Sequence, residues 1–137
     1  MKKFFKQDIQ SLTQIFEFTR VFKNKHRLDP ATTFTIEIIL EEIFSNIIKY
    51  NQGENSKVLI ELQLDNESIL IKIIYKCSQS FDLSKAGYYD TTAPLNQRPI
   101  GKLGLHLVKN LADQISYQYQ TGRSIITIKK SIKELHV

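Results

Sequence analysis

With 137 residues, 42% of them hydrophobic and 24% charged, the chain has the size and composition of one domain around one core. The single cysteine, Cys77, excludes an intramolecular disulfide and a cysteine-based zinc cluster, and no apolar run has membrane-spanning length. The net charge of +5 suits an anionic ligand or an acidic protein partner, whereas lysines spread along the chain without interleaved aromatics argue against nucleic acid.

Residues 1–7 read as a short edge strand. The basic start, Met1-Lys2-Lys3-Phe4-Phe5-Lys6, passes at once into polar residues, so no signal peptide is expected and the cytoplasm is the expected location. From Asp8 onward, Ile9, Leu12, Ile15, Phe16 and Phe22 form a helical stripe, and Lys23 to Arg27 reads as a basic break. Asp29-Pro30 then opens a second helix, with the acid as N-cap and the proline in the first turn. This helix carries a wide apolar face of Ile36, Ile39, Leu40, Ile43, Phe44 and Ile47 and ends near Tyr50. Glu42 and Asn46 share one flank of it, at the margin of the core.

Two alternating runs follow, Val58 to Leu64 and Ile69 to Tyr75, joined by Asp65-Asn66-Glu67 and read as an antiparallel hairpin. Cys77 to Pro99 is poor in apolar residues, and a connection of that length reads as a functional loop or lid. The stretch Arg98-Pro99-Ile100-Gly101-Lys102-Leu103-Gly104-Leu105 then runs into a helical stripe of Leu107, Val108, Leu111, Ala112 and Ile115. A glycine loop opening into a helix offers unpaired N–H groups and the positive end of the dipole to an anion, with Arg98 and Lys102 adding charge. Ser116–Gln120 and Ser124–Lys129 close the chain as a hairpin about Thr121-Gly122-Arg123. The expected fold is a single α/β domain over 1–137. It is a two-layer sandwich with about three helices on one face of a mixed, mostly antiparallel sheet.

Three of these features stand in the order of a known superfamily. The chain resembles the Bergerat-fold ATPases and kinases, which include gyrase, histidine kinases and MutL. Within them it is most similar to the anti-sigma-factor serine kinases of the RsbW and SpoIIAB type. Glu41-Glu42-Ile43-Phe44-Ser45-Asn46-Ile47-Ile48-Lys49-Tyr50 looks like the helix on which a glutamate precedes an asparagine by one turn. The resemblance implies Glu42 as general base and Asn46 as a Mg²⁺ ligand. The second glycine box of the family is similar to Arg98 through Lys109, implying that Gly101, Lys102, Leu103, Gly104 and Leu105 line the phosphates of ATP. Lys49, Phe81 and Arg98 join the implied nucleotide contacts.

One motif departs from the family pattern. Where the family carries Asp-x-Gly-x-x-Phe-Asp, this chain has Lys76-Cys77-Ser78-Gln79-Ser80-Phe81-Asp82. Lys76 replaces the aspartate that accepts from the adenine amine, and lysine carries donors only. Its side chain either buries an ammonium against that amine or turns to solvent. Asp82 lies six residues too late to substitute. The resemblance therefore implies a regulatory serine kinase that binds Mg-ATP, with degenerate adenine recognition. Its implied partners are a STAS-domain anti-anti-sigma protein, a sigma factor, or both, and a second copy in a homodimer. The alternative is a non-catalytic module that acts by competitive protein binding.

Overall fold

The computed structural model describes residues 1–51, 55–77 and 108–132. In chain order the elements are β1 (Lys2–Phe5), α1 (Ser11–His26), α2 (Pro30–Tyr50), β2 (Val58–Asp65), β3 (Ser68–Lys76), β4 (Gln114–Gln120) and β5 (Arg123–Ser131). Residues 108–111 add a helical turn, closed by the Ala112 N–H donating to the Val108 carbonyl at 2.9 Å. The strands form one open sheet in the order β1-β2-β3-β5-β4. Every pairing among them is antiparallel, in keeping with the mostly antiparallel sheet expected from the sequence.

Period-two alternation decides which face each strand buries. Val58, Ile60 and Leu62 of β2, Ile69, Ile71 and Ile73 of β3, and Ile126 and Ile128 of β5 are all buried. The register sets Ile60, Ile73 and Ile126 side by side across three strands, and Leu62, Ile71 and Ile128 in the next row. Leu64 continues this series in sequence, yet it is exposed beyond the end of the core. The helices cover the inner face and complete the core with Ile15, Phe18 and Phe22 of α1 and with Ile36, Ile39, Leu40, Ile43, Phe44 and Ile47 of α2.

The first helix differs from its sequence reading at both ends. Ile9 is exposed and precedes the helix. The Asp8 carboxylate accepts from the Ser11 N–H at 2.9 Å and from its hydroxyl at 3.0 Å, and this turn delays the start. The buried stripe is Ser11, Ile15, Phe18, Thr19 and Phe22, with Phe16 only half-buried. At the other end Lys23 to His26 belong to the helix, where cations face the negative end of the dipole. Arg27, at φ 53° and ψ 47°, is the left-handed residue that stops it.

The second helix starts as its sequence indicates. Asp29 is the N-cap, accepting from the Thr32 N–H at 3.4 Å, and Pro30 occupies the first turn. Hydrogen bonding from the Thr32 side chain lowers the Asp29 carboxyl below its ordinary value; burial opposes this, and backbone N–H groups add further, smaller lowering. The folded state thus favours the carboxylate. Its contribution is complete above the unfolded-state value, about 3.9, and is lost as pH falls through the lower folded value. Asp29→Ala is expected to cost ~1 kcal/mol at pH 7. Urea titrations of both proteins from pH 7 to pH 3 should show that difference shrinking at the acid end.

The β4–β5 turn holds a strained residue. Thr121 (φ 53°) and Gly122 (φ 77°) both have positive φ, the requirement of a type I′ turn. Glycine adopts this freely and a β-branched threonine does not. Thr121→Asn is expected to raise stability by ~0.5–1 kcal/mol, read as a higher urea midpoint at unchanged m-value.

Candidate functional site

The C-terminal half of α2 carries the site residues that fall within the described structure. Asn46 lies among Ile43, Phe44 and Ile47 on the buried side of the helix and is only 2% exposed. Its Nδ2 donates to the Glu42 carbonyl at 2.6 Å. That bond fixes which way the amide faces, because the nitrogen must lie toward the helix backbone. The oxygen is left over. Asn46 Oδ1 is buried and has no hydrogen-bond partner among the described residues. Leaving such an atom unsatisfied costs about 1–3 kcal/mol.

Glu42 sits one turn earlier on the same flank and is half-buried. The sequence put both residues at the margin of the core. The structure separates them, with the amide inside and the carboxylate at the boundary. Lys49 is exposed in the last turn of α2, where a cation also suits the helix dipole. Phe81, Arg98, Gly101, Lys102, Leu103, Gly104 and Leu105 lie outside the described residues, as does nearly all of the segment read as a lid.

The donor set at Asn46 fits a hard cation. An amide oxygen is an oxygen ligand of the type Mg²⁺ accepts, and Mg²⁺ draws most of its remaining shell from water and phosphate. One protein ligand is therefore enough. No cluster of three or more His, Cys, Asp or Glu side chains suited to a metal occurs among the described residues.

At the end of β3 the structure decides between the two orientations open to Lys76. The residue is exposed and lies on the outer face of the sheet, opposite Arg123, while its neighbours Tyr75 and Cys77 are buried on the inner side. No ammonium is buried there. A carboxylate placed at position 76 would inherit the same outward direction. The inner side offers neutral groups instead: Cys77 Sγ and Tyr117 Oη each lie 2.9 Å from Ser124 Oγ.

A network that the sequence reading passed over holds α2 against this end of the sheet. Asn51 caps the helix, donating its N–H to the Ile47 carbonyl at 2.8 Å. Its side-chain Nδ2 donates to the Lys76 carbonyl at 2.9 Å and to Gln7 Oε1 at 3.1 Å. Gln7 Nε2 in turn donates to the Ser56 carbonyl at 2.7 Å. Asn51 thus ties the helix bearing Glu42 and Asn46 to the ends of β1, β2 and β3. The only signal in the sequence was an asparagine just past a helix end.

The profile of the histidine kinase-like ATPase domain matches residues 5–130. The chain belongs to the histidine kinase-like ATPase family. No curated protein sequence matches it significantly. Among solved structures this ATPase domain is similar to the SiaB-SiaC complex from Pseudomonas aeruginosa. That match has a TM-score of 0.60 and 14% identity and covers 96% of this chain and 89% of that one. It is also similar to the Acinetobacter baumannii histidine kinase AdeS. There the TM-score is 0.52 at 20% identity, over 98% of this chain and 68% of that one. At these identities the likeness is one of fold, and it agrees with helices covering one face of an open antiparallel sheet. No helix among the described residues is long and apolar enough to cross a membrane.

Removing the tether should be measurable. Asn51→Ala deletes two side-chain hydrogen bonds and is expected to cost ~1–2 kcal/mol. Amide exchange should accelerate in the last turn of α2 before it does in β3 or β5.

Proposed function

We propose that this ATPase domain binds Mg-ATP and acts as a regulatory serine kinase of the anti-sigma type. It would transfer the γ-phosphoryl group to a serine on a small partner protein. The observation that carries the reading is the Asn46 amide, oriented by its bond to the Glu42 carbonyl at 2.6 Å, with its buried oxygen left for a ligand. Family membership over residues 5–130 supports it.

In this reading Asn46 holds Mg²⁺, which when bound offsets the charge on the phosphates. Gly101 to Leu105 cradle those phosphates with backbone N–H groups, and Arg98 and Lys102 add charge. Lys49 and Phe81 border the nucleotide. Glu42 takes the proton of the attacking serine as its oxygen bonds to phosphorus and the bond to ADP breaks. The partner is a STAS-domain anti-anti-sigma protein, a sigma factor, or both. The similarity to SiaB-SiaC, a structure of a two-protein complex, favours a protein partner. Assembly as a cytoplasmic homodimer that regulates transcription completes the reading.

A specific observation favours the second reading, a partner-binding module without catalysis. Lys76 stands where the family aspartate would accept from adenine, and its side chain faces outward. Loss of such a contact costs on the order of 2–4 kcal/mol, or ~30- to 1000-fold in affinity.

Calorimetry with ATP, in the presence and absence of Mg²⁺, separates the two. The kinase reading expects Mg²⁺-dependent binding that weakens at least ~10-fold in Asn46→Leu. That variant should lose little stability, because it removes one unsatisfied buried oxygen together with one hydrogen bond. Absence of ATP binding at millimolar concentration would leave the binding module as the function.

A further inference from the structure

Among the described residues the helices cover only the inner face of the sheet. The pairing register lays out the outer one. Phe4, Leu59, Ile74 and Ile125 are successive partners across β1, β2, β3 and β5, so four apolar side chains form one row across the sheet. At a strand spacing of about 4.8 Å the row runs ~14 Å, and an α-helix with its side chains is ~10–12 Å wide. Phe4 is 60% exposed, and the other three are only half-buried. A groove of about 510 Å³ opens along the row between Phe4, Leu59, Ile74, Lys57, Lys76 and Arg123. A second groove of about 300 Å³ adjoins it, sharing Ile74 and reaching Ile125 and Lys72.

The charge around this row is one-sided. Lys57, Lys76 and Arg123 line one flank. The next row on the opposite flank is Lys2, Glu61, Lys72, Thr127 and Ser116. Cations thus outnumber carboxylates on both sides of an apolar stripe. A second copy presenting this same face would set those cations against one another, at a cost in Coulomb repulsion. An apolar segment edged with carboxylates would meet complementary charge on both flanks.

We propose that the outer sheet face docks an acidic amphipathic helix of a partner protein. Its apolar side would lie along Phe4, Leu59, Ile74 and Ile125, and its Asp or Glu side chains would reach the flanking lysines and Arg123. This is helix-in-groove recognition, with anchors at helical spacing supplying affinity and the flanks selecting sign of charge. The surface is separate from Asn46 and does not depend on nucleotide binding.

The test uses the full chain and two synthetic 18-residue helical peptides. Both carry leucine at i, i+3, i+4 and i+7 spacing; one is flanked by glutamate and the other by lysine. Fluorescence anisotropy should give at least ~10-fold tighter binding of the glutamate peptide, weakening as salt rises. Amide shifts in NMR spectra should centre on Leu59, Ile74 and Ile125. Ile125→Glu should weaken binding at least ~10-fold. The double variant Lys76→Glu, Arg123→Glu changes only exposed side chains and should narrow or reverse the preference between the peptides. Equal affinity for both peptides, or shifts confined to the helices, would overturn the proposal. So would sedimentation showing a dimer that Ile125→Glu dissociates, which would assign the face to a second copy. Binding to phosphatidylglycerol vesicles without binding to the glutamate peptide would assign it to a membrane surface and equally overturn it.

Discussion

The described residues of the candidate site take their orientation from how α2 seats on the sheet. Six apolar side chains of that helix lie in the core, and together they fix its rotation about its own axis. Asn46 falls within that face, so it is buried because its neighbours are. A fully buried large aliphatic side chain contributes roughly 1.5–3 kcal/mol, so the seat outweighs the cost of taking one amide out of water. The helix then answers half of that cost itself, through the bond from Nδ2 to the Glu42 carbonyl. The remaining oxygen is the part the fold leaves open. A rotation of a few tens of degrees would bring the amide to solvent and release the constraint.

Much of this was legible in the chain because it rests on local patterns. Asp29-Pro30 marks a helix start through capping and ring geometry alone, and the alternation of Val58 to Leu62 and Ile69 to Tyr75 marks two strands through period. What escaped at the first helix were local effects that override the apolar stripe. Ile9 matches the helical stripe, but Asp8 captures the Ser11 N–H and hydroxyl and moves the start past it. Lys23 to His26 look like a charged break, but their cations lie where the helix dipole welcomes them.

The site was legible in part for the same reason. One-turn spacing placed Glu42 and Asn46 on a shared flank, yet spacing could not say that the core boundary passes between them. Lys76 could be read as a departure from a motif, but its direction depends on the pairing with Arg123 across β5, which no local pattern encodes. Asn51 was similarly hidden. Its partners, Gln7 and the Lys76 carbonyl, are far away in sequence and adjacent only once the sheet has formed.

The chain between the two hairpins is held at both ends by main-chain atoms of a single strand and its turn. The Cys77 N–H donates to the Gly122 carbonyl, and the Asp113 N–H donates to the Lys129 carbonyl, each at 2.9 Å. Bonds between backbone groups do not depend on which side chains lie between them. The register of these two points of attachment therefore does not depend on the side chains at Cys77, Gly122, Asp113 or Lys129. The outward side chain at the end of β3, Lys76, can likewise change without disturbing the main-chain bond made by its neighbour Cys77. At this edge of the sheet the outward side chains and the main-chain attachments are independent of one another, and the division runs through two peptide carbonyls.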